Sequence, residues 1–520
     1  MTDTELSAQA EIERYLRNAD ALTRAHAYSA DLERDACGVG LVAAIDGKPR
    51  REVVTAGIDA LKAVWHRGAV DADGKTGDGA GIRVDVPQDF FKEQIARTGH
   101  EPRDLPICIG MIFLPRTDYG AQETCRTIVE SEILSFGYYI YGWRHVPVNT
   151  SVIGSKANTT RPEIEQIMFE IPRDLSRHEA ERQLYLIRRR IEKRVIQASI
   201  NDFYICSLSA ESVVYKGMFL AEQLSVFYPD LLDERFSSSV VLFHQRYSTN
   251  TFPQWWLAQP FRMLAHNGEI NTIRGNTNWM KSHEIRMASE VFGEHSGDIK
   301  PVIQSGSSDS AALDAVCELL VRAGRILPMA KTLLIPEAWS QRATVMTDAQ
   351  RAMYAYSNSV MEPWDGPAAI AATDGQWVVA GMDRNGLRPM RYTVTDDGLL
   401  CVGSETGMVP LDEARIVEKG RLGPGQMIGV DLHAGKFYHD FERKQMLAPA
   451  PADRPASAAH VSQQLAAWTG RSDLAALVAR VRGESAPSDV ILPAPEQVPG
   501  RQQRVATRRR AIGAATAAAA

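Results

Sequence analysis

The stretch Cys37-Gly38-Val39-Gly40-Leu41-Val42-Ala43-Ala44-Ile45 is the first part of the chain whose residue pattern specifies a structure. It is a continuous apolar run of strand length that ends at the turn signal Asp46-Gly47, which predicts a strand buried on both faces. The 36 residues before it are polar and helix-prone, and they contain no comparable apolar run. The predicted core of the protein therefore begins at a cysteine.

Downstream of this strand, predicted helices and strands are mixed without a regular β-α-β alternation. The spacing of Val54, Ile58, Leu61 and Trp65 predicts a helix, and a glycine-rich loop at 73–81 follows it. Further strands are predicted at 109–114, 203–208, 240–245, 377–382 and 399–402, and further helices at 119–136, 178–198 and 309–324. This mixture predicts an α+β fold, a layered sandwich of mostly antiparallel sheets with helices outside.

Bulk properties exclude several classes of protein. The chain has 520 residues and a net charge of −6, with its Lys and Arg residues scattered over most of its length, whereas a nucleic-acid binder would show a basic face or stripe. No apolar run approaches the roughly 18 residues of a membrane helix, and residues 1–36 lack the apolar segment of a secretory signal. The six cysteines are far apart and show no metal-ligand spacing; they are Cys37, Cys108, Cys125, Cys206, Cys317 and Cys401. We expect a cytoplasmic protein without disulfides or a metal site.

Composition divides the chain into three parts. After about residue 447 it becomes rich in Ala, Pro, Arg and Ser, without periodicity, and it ends in a run of alanines. Such a segment is predicted to be disordered. We expect a leader at 1–36, one domain at 37–440 and a low-complexity tail at 441–520, which we interpret as a truncation or frameshift remnant.

Cys37 is the candidate nucleophile, although a cysteine before a strand is more often a buried, unreactive side chain. A thiol with an ordinary pKa of about 8.5 is mostly protonated at neutral pH and needs a base. A free α-amino group, with a pKa of about 8, serves as that base when the nucleophile is the first residue. Cleavage between Ala36 and Cys37, by Cys37 itself or by a peptidase, would create this amine. Residues 1–36 are therefore predicted to be a propeptide.

Five motifs then occur in order along the chain: Cys37-Gly38-Val39-Gly40-Leu41, Trp65-His66-Arg67-Gly68, Thr76-Gly77-Asp78-Gly79-Ala80-Gly81, His244-Gln245-Arg246-Tyr247-Ser248-Thr249-Asn250 and Ala265-His266-Asn267-Gly268-Glu269-Ile270. Together they resemble the class II glutamine amidotransferase domain of the glutamate synthase large subunit, from Cys37 to about residue 440. The resemblance implies the N-terminal-nucleophile hydrolase fold, a four-layer αββα sandwich.

The resemblance also implies roles for individual residues. The Asn267 side chain and the Gly268 amide would stabilise the oxyanion formed when Cys37 attacks the amide of glutamine. Arg246 would bind the substrate carboxylate and Asp309 its ammonium. Each of these roles has a structural alternative. In the alternatives, Asn267-Gly268 forms a hairpin turn, Arg246 forms a structural ion pair, and Asp309 is an acidic residue in the first turn of a helix. Thr249 and Asn250 would line the substrate pocket, and Arg67 and Gly68 would support the nucleophile's loop.

Other polar groups in these motifs receive structural interpretations. His66, His244 and His266 match no metal signature, and an N-terminal amine would make a histidine base unnecessary. The loop around Asp78 lacks the pattern of a phosphate-binding loop. The segment with Trp255 and Trp256 is interpreted as a mobile lid over the pocket, with an aromatic core contact as the alternative.

The function that the resemblance implies is hydrolysis of L-glutamine to glutamate and ammonia through a Cys37 thioester. In a glutamate synthase the ammonia would reach a synthase domain and 2-oxoglutarate. The implied cofactors, FMN and an iron–sulfur cluster, belong to that domain, and a small NADPH-type electron-donor subunit is the implied partner. None of these cofactors is expected in this chain. The alternatives are a hydrolase of another amide, an inactive fragment, or a non-enzymatic protein with a degenerate amidase fold.

Overall fold

The computed structural model describes Arg17 and residues 37–246, 252–287, 291–340 and 346–448. The strands are β1 (Gly38–Ala44), β2 (Ala80–Asp85), β3 (Ile107–Leu114), β4 (Tyr139–His145), β5 (Glu163–Glu170), β6 (Tyr204–Ser209), β7 (Ser212–Gly217), β8 (Val240–Gln245), β9 (Leu264–Gly268), β10 (Ala368–Thr373), β11 (Trp377–Met382), β12 (Arg391–Thr395), β13 (Leu399–Gly403), β14 (Ile416–Arg421), β15 (Met427–Asp431) and β16 (Lys436–Tyr438). The α-helices are α1 (Arg51–Ala63), α2 (Gln88–Arg97), α3 (Tyr119–Ser135), α4 (Ser155–Thr159), α5 (Arg177–Gln197), α6 (Leu224–Phe227), α7 (Ile273–Arg286), α8 (Asp309–Arg322), α9 (Leu327–Leu334), α10 (Asp348–Val360) and α11 (Asp440–Leu447).

β1 lies at the centre of a seven-stranded antiparallel sheet with the order β14-β12-β13-β1-β8-β2-β7. All seven of its residues are buried, because α1 covers one face of this sheet and a second sheet covers the other. The close approach of α1 depends on Gly57, where a Cβ atom would lie 2.3 Å from Cγ1 of Val241. The apolar run after Cys37 is therefore a central strand, as predicted.

The second sheet has five antiparallel strands in the order β16-β15-β11-β10-β9. Its inner face shares one apolar core with the first sheet, and this core includes Leu41, Leu242, Ala369 and Val378. A fully buried leucine such as Leu242 stabilises the fold by roughly 2 kcal/mol. Helices α8 and α9 pack on the outer face of this sheet. The predicted four-layer αββα sandwich is confirmed.

A third sheet, ordered β4-β5-β3-β6 and flanked by α3 and α5, was not predicted as a unit. Its strands β3 and β6 and its two helices were predicted, but β4 and β5 were missed. In β5 the buried side chains of Glu165 and Glu170 interrupt the apolar pattern. They are tolerated because Arg126 and Arg103 form ion pairs with them, a compensation that buried carboxylates require.

The packed part of the chain extends past residue 440, the predicted end of the domain. In α11, Leu447 packs against Met353 and Tyr354, and Lys444 forms an ion pair of 2.7 Å with Glu337. These contacts carry the packed region to residue 448. Most of the predicted leader and the tail beyond 448 lie outside the described residues. Within the described ranges, no helix combines the length and the hydropathy that a membrane span requires.

Candidate active site

Cys37 immediately precedes β1 and is 7% exposed. Side chains alternate along a strand, so its thiol shares the face of Val39, which lies in the core between the two sheets. From the second sheet, the Asn267 side chain reaches across this core, and its Nδ2 donates a hydrogen bond of 2.9 Å to the Cys37 carbonyl oxygen. Asn267 Oδ1 is buried without a hydrogen-bond partner among the described residues. Two motifs that are far apart in the sequence thus meet at one point.

The Asn267-Gly268 pair ends β9 rather than forming a hairpin turn. Asn267 pairs with Ala369 and Gly268 with Ala368 in the antiparallel ladder between β9 and β10. Gly268 has a φ of +144°, and a Cβ atom there would lie 1.7 Å from the carbonyl oxygen of Pro367. Only glycine fits this backbone. The hairpin alternative is excluded.

Asp309 is the first residue of α8 and is 3% exposed. The neighbouring residue Ser308 caps the helix, because its Oγ accepts a hydrogen bond from the Ala311 amide. The Asp309 carboxylate instead crosses to the end of β9, where Oδ2 accepts a 2.9 Å hydrogen bond from the amide of Ile270. This contact holds the acidic group next to the Asn267 segment.

Arg246 follows β8 in a backbone conformation with a φ of +92°, which is unusual for a residue other than glycine. A 2.7 Å hydrogen bond from its amide to the carbonyl of Gly79 stabilises this conformation. Its Nε lies 3.8 Å from Oδ2 of buried Asp78, so the structural ion pair is present. This ion pair holds the guanidinium group in place, which is compatible with either a structural or a substrate-binding role. Substrate binding by Arg246 therefore stays a prediction.

Four charged side chains surround the thiol. Burial raises the pKa of Cys37 to about 12; the fields of Arg246 and Arg388 oppose this rise, and those of Asp78 and Asp309 add to it. Burial also raises the pKa of Asp78 to about 7, against the field of Arg246. In the intact chain the thiol is therefore protonated at neutral pH, and the reaction requires a base close to Sγ.

Arg67 and Gly68 lie behind the nucleophile strand. Arg67 Nε donates a 2.5 Å hydrogen bond to Glu405, and His66 Nε2 lies 2.8 Å from the same carboxylate oxygen. Burial opposes ionisation of Glu405, but the hydrogen bonds and charges of His66 and Arg67 outweigh this effect and lower the pKa of its carboxyl group to about 2. At Gly68, a Cβ atom would lie 2.2 Å from Nε2 of Gln245, the residue that pairs with Gly38. Gly68 thus packs against the residue that pairs with the start of β1, and Arg67 is held by Glu405.

The other two histidines are held inside the sandwich. His244 Nε2 donates to the carbonyl of His266 at 3.1 Å, and His266 Nδ1 contacts Ser310 Oγ at 2.8 Å. Burial lowers the pKa of His244 to about 3 and also lowers the pKa of His266. Both rings are neutral and engaged at physiological pH, as expected for structural residues.

The interpretation of Trp255 as part of a mobile lid is wrong. Trp255 is 4% exposed, its Nε1 donates to the carbonyl of Ala157 at 3.1 Å, and its ring meets Phe219 edge to face. Trp255 instead makes an aromatic contact in the core, which was the alternative interpretation of this residue. Trp256 is only partly buried, and its carbonyl accepts a 2.8 Å hydrogen bond from the buried Lys216.

The structure brings Cys37, Asn267, Gly268, Arg246 and Asp309 together, whereas Thr249 and Asn250 lie outside the described residues. Three residues of this region received no predicted role: Arg388 acts electrostatically on Cys37, Gln245 pairs with Gly38, and Glu405 binds Arg67. Arg388 follows β11 in the polar segment 383–388, and a run of charged and turn residues after a buried strand is a signal that could have drawn attention to it.

Residues 37–452 match the family of class II glutamine amidotransferases, and the chain belongs to this family. The large chain of NADPH-dependent glutamate synthase from Azospirillum brasilense is 65% identical, over 83% of this chain and 28% of that protein. The ferredoxin-dependent glutamate synthase 2 of Arabidopsis thaliana is 42% identical, over 81% and 26%. The large chain of the Bacillus subtilis enzyme is 41% identical, over 81% and 28%. The chain thus spans little more than a quarter of these relatives.

Proposed function

We propose that this domain hydrolyses the side-chain amide of L-glutamine through a thioester on Cys37. The observation that carries the proposal is the hydrogen bond from Asn267 to the Cys37 main chain, made across the sandwich in a member of the amidotransferase family. The bond supports the proposal because it holds a side-chain amide donor at the residue that carries the thiol, and we propose that this donor stabilises the oxyanion of a tetrahedral adduct. One such preset donor lowers the barrier by roughly 3 kcal/mol.

The base in this proposal is the α-amine of Cys37, released by cleavage after Ala36. The need for a base follows from the pKa of the buried thiol, about 12. The two histidines of the sandwich are neutral and hydrogen-bonded to each other and to Ser310. The amine accepts the thiol proton as Sγ attacks the amide carbon, and it protonates the departing nitrogen, which leaves as ammonia. Water then hydrolyses the thioester to glutamate.

Substrate selection is proposed to rest on Arg246 and Asp309. A guanidinium binds the α-carboxylate of free glutamine in a bidentate manner, and a carboxylate binds its α-ammonium. This proposal is supported by the position of Asp309, which bonds the Ile270 amide at the end of the Asn267 segment, and by that of Arg246, which directly follows the strand residue paired with Gly38. Thr249 and Asn250, which follow Arg246 in the sequence, are proposed to line the same pocket.

We further propose that the ammonia serves glutamate synthesis from 2-oxoglutarate, as the names of the relatives suggest. FMN, an iron–sulfur cluster and the electron-donor subunit would belong to the remaining parts of such an enzyme. The residues of this chain do not fit a cluster: within the described ranges, the one group of potential ligands in mutual reach is His145, Glu163 and Glu165, which contains no cysteine. All six cysteines are free and buried.

The proposal is tested by ammonia release from L-glutamine and from L-asparagine, and by release of the free amino acid from an N-acylated amino acid, whose hydrolysis yields no ammonia. The expected result is release from glutamine alone, abolished by Cys37→Ala and retained by Cys401→Ala, which changes another buried cysteine away from Asn267. Equal release from the other amides would favour a hydrolase of different specificity. Release that survives Cys37→Ala would contradict the proposal.

A further inference from the structure

A cavity of about 1080 Å³ lies apart from the candidate active site. It is bounded by α5, the start of β6, the turn at Trp255–Trp256 and the residues that precede and begin α8. Cys37, Asn267, Gly268, Arg246 and Asp309 do not line it. Its volume is at the upper end of the range for sites that enclose a small molecule. The glutamine site therefore does not account for this cavity.

The lining of this cavity is cationic, although the chain as a whole carries a net charge of −6. Six cationic side chains face three carboxylates: Arg116, Lys156, Arg161, Arg188, Arg189 and Arg262 against Glu192, Asp202 and Glu318. A concave surface with an excess of one sign of charge attracts ligands of the opposite sign. The cavity is thus electrostatically suited to anions.

The inner wall is a network in which guanidinium groups outnumber carboxylates. Glu192 accepts from Arg188 at 2.7 Å, pairs with Arg189 and lies 3.5 Å from Arg262, while Arg188 also reaches Glu318 at 2.5 Å. Three guanidinium groups therefore share two carboxylates. In the same wall, Nε of Arg189 and Nε of Arg262 are buried without a hydrogen-bond acceptor in the described part of the chain.

A further buried donor is the hydroxyl of Tyr185, which also lines the cavity. Tyr185 is 3% exposed, and its hydroxyl has no hydrogen-bond partner among the residues that the structure describes. A buried polar group without a partner costs roughly 1–3 kcal/mol, so such a group is usually matched by a ligand or water. These three donors have almost no solvent-accessible surface, so an anion in the cavity would contact the partly exposed guanidinium groups of Arg116 and Arg161 instead.

Two further guanidinium groups converge on one residue. Arg116 Nη1 donates to the main-chain oxygen of Asn158 at 2.5 Å, and Arg161 Nε donates to its side-chain oxygen at 3.3 Å. Within the described ranges, neither arginine has a carboxylate within ion-pair distance. Burial and the field of Arg116 lower the pKa of Arg161. Adjacent guanidinium groups of this kind are suited to a carboxylate or a phosphate.

One part of the remaining wall is aromatic. Phe203, Tyr204 and Trp256 line the cavity, and the rings of Tyr204 and Trp256 lie 5.6 Å apart. We propose that this cavity binds a small organic anion with at least two negative charges, whose acidic groups contact Arg116 and Arg161 and whose planar or apolar part packs on this aromatic wall. Phosphates and carboxylates share the required chemistry.

The experiment is calorimetric titration of the purified chain, at fixed ionic strength, with inorganic pyrophosphate, citrate and ADP. At least one anion is expected to bind with 1:1 stoichiometry and a Kd below about 1 mM. Pyrophosphate or ADP binding without citrate binding identifies a phosphate site, and the reverse identifies a carboxylate site. Tighter binding of ADP than of pyrophosphate is the result expected from the aromatic wall, and equal binding would overturn that part of the proposal.

Arg161→Gln and Arg116→Gln should each raise the Kd at least tenfold. Arg97→Gln, which changes an exposed arginine of α2 outside the cavity, should leave the Kd unchanged. Thermal unfolding of each variant shows whether it is folded. If Arg161→Gln does not fold, the Kd of Arg116→Gln tests the proposal. The absence of saturable binding by all three anions would overturn the proposal, as would equal binding by the folded arginine variants. This binding is independent of glutamine hydrolysis, which is measured separately.

Discussion

Asn267 and Cys37 are 230 positions apart in the sequence, yet a 2.9 Å hydrogen bond joins the Asn267 side chain to the Cys37 carbonyl oxygen. The bond crosses the core between the two sheets, so its geometry depends on the packing of the whole sandwich. It aligns the end of β9 with the start of β1. A donor held this rigidly requires little reorganisation when charge develops during a reaction.

Replacement of Asn267 by alanine should remove this donor from the reaction. We expect kcat for glutamine hydrolysis to fall by about 10²–10³, while KM changes by only a few-fold, because the lost interaction is made to the transition state. Steady-state kinetics with a parallel thermal unfolding curve distinguish this result from a loss of folding. An unchanged kcat in a folded Asn267→Ala variant would exclude the oxyanion role.

Gly268→Ala should destabilise the domain, because the new Cβ would lie 1.7 Å from Pro367 O in a backbone with a φ of +144°. We expect a loss of about 3 kcal/mol in the free energy of unfolding. The matched control is Gly275→Ala in α7, where a Cβ meets nothing within 4 Å and should stabilise the helix by about 0.5–1 kcal/mol. Denaturant titration measures both values. Equal stability of the two variants would contradict this explanation.

Arg246→Lys retains the positive charge beside Asp78 but removes the bidentate geometry. If Arg246 binds the substrate carboxylate, KM for glutamine should rise about 10- to 100-fold, with a much smaller change in kcat. Arg97→Lys on the surface of α2 serves as the control and should leave both constants unchanged. A purely structural ion pair would instead appear as a lower unfolding temperature with a normal KM.

Acidification should destabilise the sandwich through His244. Its pKa is about 3 in the folded protein, against an ordinary value of about 6.5, so protons bind preferentially to the unfolded chain between these values. The contribution of neutral His244 to the free energy of unfolding is fully present above pH 6.5. It decreases by up to about 1.4 kcal/mol per pH unit as the pH falls from 6.5 towards 3. His244→Gln should reduce this slope, and the exposed His433→Gln should not. An equal slope in His244→Gln would show that other groups cause the pH dependence.

The sequence was sufficient to predict the parts of the fold that follow simple patterns. β1, β8 and the helix at α8 were predictable because apolar periodicity and a Ser308 cap mark them. β5 was not, because its buried glutamates are compensated by arginines distant in the sequence. The motifs led to Cys37 and Asn267, and the predicted helix start together with the family resemblance led to Asp309. The contact of Glu405 with Arg67 could not be predicted, since only the pairing of β13 with β1 brings its segment close. The polar segment around Arg388 was an available signal that was not used.

Intact-mass measurement shows whether Cys37 becomes an N-terminal nucleophile for glutamine. The purified protein is measured before and after exposure to an electrophilic glutamine analogue, with and without excess glutamine. We expect loss of residues 1–36 and one adduct, located on Cys37 by peptide mapping and prevented by glutamine. A protein that retains residues 1–36 and takes up no adduct at Cys37 would contradict this expectation.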